Sequence, residues 1–402
     1  MKIGLIKETK IPVDNRVALS PDQMAALQKR FPDHAFAVQS SGTRAFSDEE
    51  YRDAGLQVVD DVSDCDLLFG IKEVNLRALI PGKHYFFFGH LAKMQPANRK
   101  LLQVLMEKHI TFSDYEYLVD DSGRRVCAFG WWAGCVGTYY TLLGYGRRHH
   151  RYELPLPDKH FTMEKLKNAL SSVPLPAVKV LVTGNGRVSK GVQYLLEEIG
   201  AERLTQEQFL FDEPVSRLSF FVADADLLVV RRDGRDFSWE DFNRNPKAYR
   251  SDFMRFATHA DILISAHFWA PEAPVYLDKE DLASSDLKIR LIADITCDIQ
   301  GSIQSTLRSS THESPFYDYN PYTAAEEPAF SDDRNITVMA VDTCPNALPK
   351  ETSTHFGETL SQYVLQPLLE GRHSDIVQRS TILKDGQLTP GFAYLESFAQ
   401  GK

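Results

Sequence analysis

The chain has 402 residues, 43% of them hydrophobic and 25% charged, and a formal net charge of -10 at pH 7. This composition favours a globular protein of two domains, and the negative charge argues against a nucleic-acid partner. No apolar run approaches the ~18 residues of a membrane-spanning helix, so we expect no membrane association. The N-terminus, MKIGLIKETK, lacks the apolar core of a signal peptide, and the five cysteines are scattered without CxxC spacing. These features predict a cytoplasmic protein without a metal site.

The N-terminal segment predicts a strand, a charged loop and a helix. Residues 2–6 form the strand, and Ser20 followed by Pro21 is typical of a helix start. The loop between them, KETKIPVDNRVALSP, concentrates charged residues. Such loops are usually solvated, but at the carboxyl ends of strands they also form the clefts of α/β proteins.

Two apolar segments, LLFGIK and HYFFFGH, predict buried strands that end near Lys72 and His90. In a parallel sheet, the carboxyl ends of strands meet at one edge, so both side chains are expected there. A buried lysine can act as a base and histidine titrates near neutral pH, so the pair suits general acid–base chemistry. The alternative is a surface lysine and a hydrogen-bonded core histidine.

A glycine turn lies at the centre of the segment LPAVKVLVTGNGRVSKGVQYLLEE, residues 175–198. The pattern of an apolar strand, Gly184 and Gly186, and a helix is typical of nucleotide-binding units. Glycine allows close approach of a pyrophosphate, and the helix N-terminus offers free N–H groups and a positive dipole. Ser189 stands where a third glycine is usual, so an ordinary strand–turn–helix is the alternative.

Further segments alternate strands with helices. The segment VCAFGWWAGCVGTYYTLLGYG predicts a buried linking helix, and residues 146–176 are expected to be irregular. AERLT is predicted as the second strand of the nucleotide-binding unit. Thr205 there replaces the usual acid, so the choice between NAD and NADP cannot be read. DADLLVV, ADILISAHFW, KIRLIADITCD and ITVMAVD predict strands, the last ending at Asp342, while SPFYDYNPYTAAEEPAF predicts a loop.

This alternation predicts an α/β protein with two Rossmann-like, doubly wound parallel-sheet domains separated by a cleft. Residues 1–135 and 343–402 are predicted to form the substrate domain. Residues 136–342 are predicted to form the dinucleotide-binding domain.

Eight motifs carry a resemblance to a known family: KETKIPVDNRVALSP, GIKEV, FFGHLAKMQPAN, DYEYLVDDSGRRVCAFGWWAG, TGNGRVSKG, NRNPKAYRSDF, ADITCDIQGSI and VDTCPNALPKETS. Through them, over about residues 2 to 385, the chain resembles the saccharopine dehydrogenases that form L-lysine. It also resembles the lysine-ketoglutarate reductase domain of aminoadipic semialdehyde synthase. Both belong with alanine dehydrogenase and the proton-translocating transhydrogenase.

The resemblance implies roles for individual residues. Acid–base catalysis is implied for Lys72 and His90. The implied substrate-binding residues are Arg16, Asp14, Glu73, Glu116 and Arg125. The predicted cofactor-binding residues are Gly184, Gly186, Arg187, Val188, Ser189, Thr205, His267 and Asp342. Fungal members carry a cysteine in the glycine turn, and this chain does not.

The implied reaction interconverts saccharopine with L-lysine and 2-oxoglutarate by hydride transfer to or from NAD or NADP. The expected partner is a small amino-acid substrate, and the expected assembly is a monomer or small homo-oligomer. One alternative is an alanine or other amino-acid dehydrogenase of the same superfamily. The other is a catalytically silent nucleotide-binding protein.

Overall fold

The computed structural model describes residues 1–211 and 213–401, which fold into two compact units. Unit 1 comprises Met1–Phe129 and Leu348–Lys402, and unit 2 comprises Gly130–Ala347. The chain therefore builds most of unit 1, forms unit 2, and returns to unit 1. Within the described ranges, no helix has both the length and the apolar character that crossing a bilayer requires.

The strands are short and are numbered here along the chain. They are β1 (Lys2–Leu5), β2 (Ala35–Gln39), β3 (Gln57–Val59), β4 (Leu67–Lys72), β5 (His84–Phe88), β6 (Thr111–Asp114), β7 (Lys179–Thr183), β8 (Glu202–Arg203), β9 (Ser219–Ala223), β10 (Val229–Arg231), β11 (Tyr249–Ser251), β12 (Ile262–Ser265), β13 (Leu291–Asp294), β14 (Phe316–Asn320), β15 (Ala325–Glu327), β16 (Ile336–Met339), β17 (Thr381–Lys384) and β18 (Gln387–Leu388).

The helices between them are numbered in the same way. They are α1 (Pro21–Arg30), α2 (Asp48–Asp53), α3 (Arg99–Glu107), α4 (Gly130–Arg148), α5 (Met163–Ser171), α6 (Arg187–Glu198), α7 (Gln206–Leu210), α8 (Ala225–Leu228), α9 (Trp239–Arg244), α10 (Met254–Ala257), α11 (Lys279–Leu282), α12 (Pro349–Leu360), α13 (Gln366–Leu369), α14 (Asp375–Ser380) and α15 (Glu396–Ala399). A π-helical turn, Ser361–Leu365, joins α12 to α13.

The sheet of unit 1 joins eight strands of the described chain in the order β18-β17-β6-β5-β4-β1-β2-β3. Strands β1 to β6 are parallel, and the β17–β18 hairpin extends the β6 edge in antiparallel orientation. The strand order reverses between β1 and β4. In doubly wound sheets, ligands bind outside the carboxyl ends of the strands at such a reversal.

The sheet of unit 2 has the order β15-β14-β16-β13-β12-β7-β9-β8. The β14–β15 hairpin is antiparallel to its neighbours, and the other strands are parallel. The order reverses between β7 and β12, so this sheet is doubly wound as well. The predicted α/β class with two doubly wound sheets is confirmed.

Three segments of unit 2 differ from the sequence prediction. The expected strand DADLLVV is instead the turn α8 followed by β10, because the Asp224 carboxylate accepts the N–H of Ala225 and starts a helical turn. The buried strand is the preceding SFFVA, β9. The expected loop SPFYDYNPYTAAEEPAF contains the β14–β15 hairpin, because Tyr317 and Tyr319 are buried where β14 pairs with β16. The stretch 146–176 contains α5, which has a buried apolar stripe.

The predicted buried helix is α4, and it packs against α6 at two glycines. A Cβ added at Gly134 would lie 2.0 Å from the carbonyl oxygen of Val188, and one added at Gly191 would lie 1.9 Å from that of Trp131. Real Cβ atoms do not approach backbone oxygens so closely. The two helix backbones therefore touch directly, and both positions require glycine.

We expect Gly191→Ala to destabilise the fold by about 1–3 kcal/mol, because the added methyl group must push α4 away from α6. Urea unfolding of the full chain measures this change in the free energy of unfolding. Lys190→Ala, an exposed neighbour on α6, is the control and should leave the free energy of unfolding nearly unchanged. Equal stability of the two variants would contradict the contact between the backbones.

Candidate active site

Lys72 and His90 lie at the carboxyl ends of neighbouring parallel strands in unit 1. Lys72 is the last residue of β4 and pairs in register with Phe88, the last residue of β5. His90 follows two residues later, with a left-handed φ of 52°. The structure thus brings both predicted acid–base residues to the same sheet edge, next to the reversal between β1 and β4.

The ionisation of both side chains is shifted by burial and by neighbouring cations. Burial lowers the pKa of Lys72, and the charges of Arg16 and Lys10 lower it further against the opposing effect of Asp14 and Glu73. Burial also lowers the pKa of His90 to about 4, with the Lys72 charge adding to the effect. The imidazole is therefore neutral near pH 7, and the amine is easier to deprotonate than an ordinary lysine.

Arg16 and Asp14 form a buried ion pair beside Lys72. Arg16 donates to both carboxylate oxygens of Asp14, from Nε at 2.9 Å and from Nη2 at 2.5 Å, and its backbone N–H donates at 3.1 Å. Burial alone would raise the pKa of Asp14, but the Arg16 charge and hydrogen bonds outweigh it and hold that pKa below its usual range. The Arg16 guanidinium also lies 4.3 Å from the ring centre of Phe129. Asp14 is therefore a partner of Arg16 rather than an open substrate contact.

Two further carboxylates at this edge are only half satisfied. Glu73 Oε1 pairs with Lys10 Nζ at 2.5 Å, and Glu116 Oε1 pairs with Arg125 Nη2 at 3.2 Å and Lys93 Nζ at 3.5 Å. The Oε2 atoms of Glu73 and Glu116 are buried without a hydrogen-bond donor among the described residues. Buried carboxylate oxygens are rarely left unpaired, so an N–H or O–H donor from a ligand would fit them.

Glu8 is a residue of this site that the sequence did not single out. Its carboxylate accepts the backbone N–H groups of Ile71 at 2.6 Å and Lys72 at 2.9 Å. The β4–β5 register shifts between Phe69 and Lys72, so Glu8 holds an irregular strand end whose last side chain is Lys72. Burial and the Asp14 charge raise the pKa of Glu8 to about 8. The charge-rich loop was the only sequence signal for it.

The glycine turn of unit 2 joins β7 to α6. Gly184 has φ 78°, and a Cβ there would lie 2.8 Å from the Cα of His267, so this glycine is required by the protein's own packing. A Cβ at Gly186 would meet nothing within 4 Å. The first backbone hydrogen bond of α6 runs from Lys190 N–H to Gly186 O, and Gly186 has no side chain to cap the earlier N–H groups. The turn therefore leaves open space in front of a helix N-terminus.

The remaining residues of the predicted turn differ in exposure. Arg187 is exposed and Val188 is half-buried in the first turn of α6. Ser189 is buried, and its Oγ accepts a hydrogen bond from Gln193 Nε2 at 3.0 Å. The serine side chain thus replaces the third glycine by packing inside the unit.

Two other predicted cofactor residues, His267 and Asp342, lie outside the glycine turn. His267 packs beside the turn, where Nδ1 meets Thr183 Oγ1 at 2.7 Å and Nε2 meets Ser302 Oγ at 2.8 Å. Burial lowers the His267 pKa to about 3, so it is neutral. Asp342 is exposed and lies beyond the end of β16.

Thr205 lies away from the glycine turn, contrary to its predicted place at the end of the strand next to β7. It follows β8, which is separated from β7 by β9. Its hydroxyl accepts the Gln208 N–H and caps α7. Within the ranges described, no cluster of His, Cys, Asp or Glu side chains has the makings of a metal site.

Comparison with known proteins shows what this chain is similar to. The family model of the alanine dehydrogenase/PNT N-terminal domain matches residues 4–136. Alpha-aminoadipic semialdehyde synthase of Arabidopsis thaliana is 28% identical over 98% of this chain and 41% of its own length. The L-lysine-forming, NAD(+) saccharopine dehydrogenase of Schizosaccharomyces pombe is 26% identical over 89% of this chain and 90% of its own length. The chain spans less than half the length of the semialdehyde synthases it matches.

A solved L-alanine dehydrogenase has the same fold, with a TM-score of 0.67 and 20% identity over 99% of this chain and 100% of that one. A structural match at this identity establishes the fold. The sequence matches to these relatives cover 89–98% of this chain, so they extend over both units. Over most of its length this chain is therefore similar to saccharopine dehydrogenases and alpha-aminoadipic semialdehyde synthases, and its residues 4–136 match the alanine dehydrogenase/PNT N-terminal domain.

Proposed function

We propose that this protein is an oxidoreductase that interconverts saccharopine with L-lysine and 2-oxoglutarate, using a nicotinamide dinucleotide. The observation that carries the proposal is the polar cluster at the carboxyl edge of unit 1. A lysine and a neutral histidine lie there beside two carboxylates with unpaired buried oxygens. The relatives named saccharopine dehydrogenase support the choice of substrate. Unit 1 is proposed as the substrate domain and unit 2 as the cofactor domain.

The proton transfers of this reaction suit Lys72 and His90. Oxidation of saccharopine requires its secondary amine to be neutral, so a base must first remove one proton. Lys72, with its lowered pKa, takes that proton at Nζ. After hydride loss the resulting imine adds water, and the carbinolamine collapses to lysine and 2-oxoglutarate. His90, neutral at pH 7, accepts a proton from the water and returns one to the leaving amine.

The charged groups of the substrate match the remaining residues. Saccharopine carries three carboxylates, for which Arg16 and Arg125 are proposed partners. The unpaired Oε2 atoms of Glu73 and Glu116 accept from the amino groups of the lysine portion. Asp14 acts through Arg16, whose guanidinium it holds in place.

The glycine turn of unit 2 fits a dinucleotide pyrophosphate. The free space at Gly186 admits a phosphate close to the backbone, and the uncapped N–H groups of α6 point to it with the positive end of the helix dipole. When bound, the nicotinamide ring supplies the hydride acceptor or donor. The residues present therefore fit the cofactor.

Incubation with lysine, 2-oxoglutarate and reduced nicotinamide dinucleotide should give a loss of nicotinamide absorbance. Both lysine and 2-oxoglutarate are needed, because together they supply the three carboxylates of the product saccharopine. Pyruvate with ammonia is the comparison substrate pair. Turnover of pyruvate and ammonia without turnover of lysine and 2-oxoglutarate would instead indicate an alanine dehydrogenase.

Gly186→Val should abolish binding of reduced dinucleotide while leaving the fold intact. Its side chain enters the space that the pyrophosphate needs, while its Cβ meets no other part of the protein within 4 Å. Nicotinamide fluorescence titration measures the affinity, and circular dichroism checks the fold. Gly42→Val is a matched control, because its Cβ also meets nothing within 4 Å and it lies in unit 1. Equal affinities in both variants would place the cofactor elsewhere.

Lys72→Met should reduce turnover by roughly 10²–10⁴-fold, the usual effect of losing an acid–base group. The substrate Michaelis constant should change less, because the arginines remain. Lys100→Met, at an exposed lysine of α3, should behave as the wild type.

The pH profile separates a base from a mere positive charge. In the wild type, kcat/KM for saccharopine oxidation should rise with pH between about 6 and 10 as Lys72 loses its proton, with an apparent pKa below that of free lysine. His90 is already neutral in this pH range, so its protonation should cause no additional change in kcat/KM. Lys72→Met should lose the rise; a wild-type profile and turnover in Lys72→Met would refute the assignment.

A further inference from the structure

Strand β9, rather than β8, lies next to β7 in unit 2. Thr183 at the end of β7 pairs in register with Ala223 at the end of β9. After α6 the chain first forms the outermost strand β8, then α7, and only then returns as β9. The place that the second strand of a dinucleotide-binding unit usually occupies is thus taken by the third strand in sequence.

The end of β9 is joined directly to the glycine turn. The backbone N–H of Gly184 donates to the carbonyl of Ala223 at 2.8 Å. Asp224 is the next residue, so its carboxylate lies at the carboxyl edge of the sheet, beside the turn. An acid at the end of the strand next to the first one is where dinucleotide-binding folds hold the adenine ribose.

The Asp224 carboxylate has unused hydrogen-bonding capacity. Oδ1 accepts the N–H of Ala225 at 2.9 Å and caps α8. The side chain is half-buried, and within the described part of the chain it forms no ion pair. Burial raises its pKa, and the charge of the neighbouring Asp226 adds to that effect. A carboxylate in this situation gains from ligand hydroxyl groups that donate to it.

We propose that Asp224 binds the adenine-ribose hydroxyls of the dinucleotide and makes this protein prefer NAD(H) to NADP(H). The inference rests on the proposed function, which requires a nicotinamide cofactor but does not choose between the two. The 2′-phosphate of NADP(H) would bring a second negative group against Asp224, and like charges at short distance disfavour binding. Thr205 has no part in this choice, because it lies two strands from β7 and caps α7.

Direct binding of NADH and NADPH, measured separately by nicotinamide fluorescence and calorimetry without any amino-acid substrate, tests the proposal. The wild type should bind NADH at least tenfold more tightly than NADPH. Asp224→Asn keeps the oxygen that caps α8 but removes the charge. It should weaken NADH binding roughly tenfold and leave NADPH binding unchanged or tighter, which reduces the preference. Asp226→Asn, at the exposed neighbouring acid, and Thr205→Ala should keep the wild-type preference.

The other possible results distinguish failure of the Asp224 assignment from failure of the proposed function. If the wild type binds NADPH more tightly than NADH, the proposal is wrong. It is also wrong if Asp224→Asn weakens the binding of NADH and NADPH equally, because Asp224 then does not determine the cofactor preference. If the wild type binds both dinucleotides and Asp224→Asn changes neither affinity, the assignment fails while the proposed function stands. If the wild type binds neither dinucleotide, the proposed function and this inference both fall.

Discussion

The direct contact between the backbones of α4 and α6 is the constraint on which the packing of unit 2 depends. Gly134 and Gly191 let the two helices approach without side chains between them. The crossing lies within the first turns of α6, so it also sets where the N-terminus of that helix stands. The glycine turn precedes this N-terminus directly, and Gly184 in turn makes room for the backbone of His267. The packing of α4 on α6 and the shape of the glycine turn are therefore both set by glycines at positions where a side chain would clash.

The polar edge of unit 1 depends on a balance of charges that are partly removed from water. Lys72 stands between cations that lower its pKa and carboxylates that raise it. Asp14 neutralises Arg16 through a bidentate pair, which lets a guanidinium be buried close to a lysine. Glu8 binds the backbone of Lys72 rather than its side chain, so it positions the amine without neutralising it. The result is a lysine at a fixed position at a strand end, with a pKa below its usual value.

The sequence by itself determined the architecture and the resemblance to known proteins. Apolar segments bounded by glycine and polar residues predicted most of the strands, and alternation of strands with helices predicted the confirmed α/β class. The strand ends at Lys72 and His90 and the turn at Gly184 and Gly186 were located in the same way, because each is a local pattern. The motifs spread along the chain predicted the family resemblance, and the comparisons find proteins of that family among the similar ones. The roles of the site residues stay predictions.

Tertiary structure alone decided which side chains meet and which strands are neighbours. A spacing rule placed Thr205 next to the glycine turn, but β8 and α7 are inserted before the strand that pairs with β7. Strand pairing is a non-local choice, so counting residues from a motif cannot reveal it. The same reason hid Glu8, whose partners on β4 are distant in sequence. The β14–β15 hairpin was missed because its aromatic residues are buried only by pairing with β16. A local pattern depends only on residues that are close in sequence, whereas the neighbours of a strand in a sheet depend on how the whole unit packs.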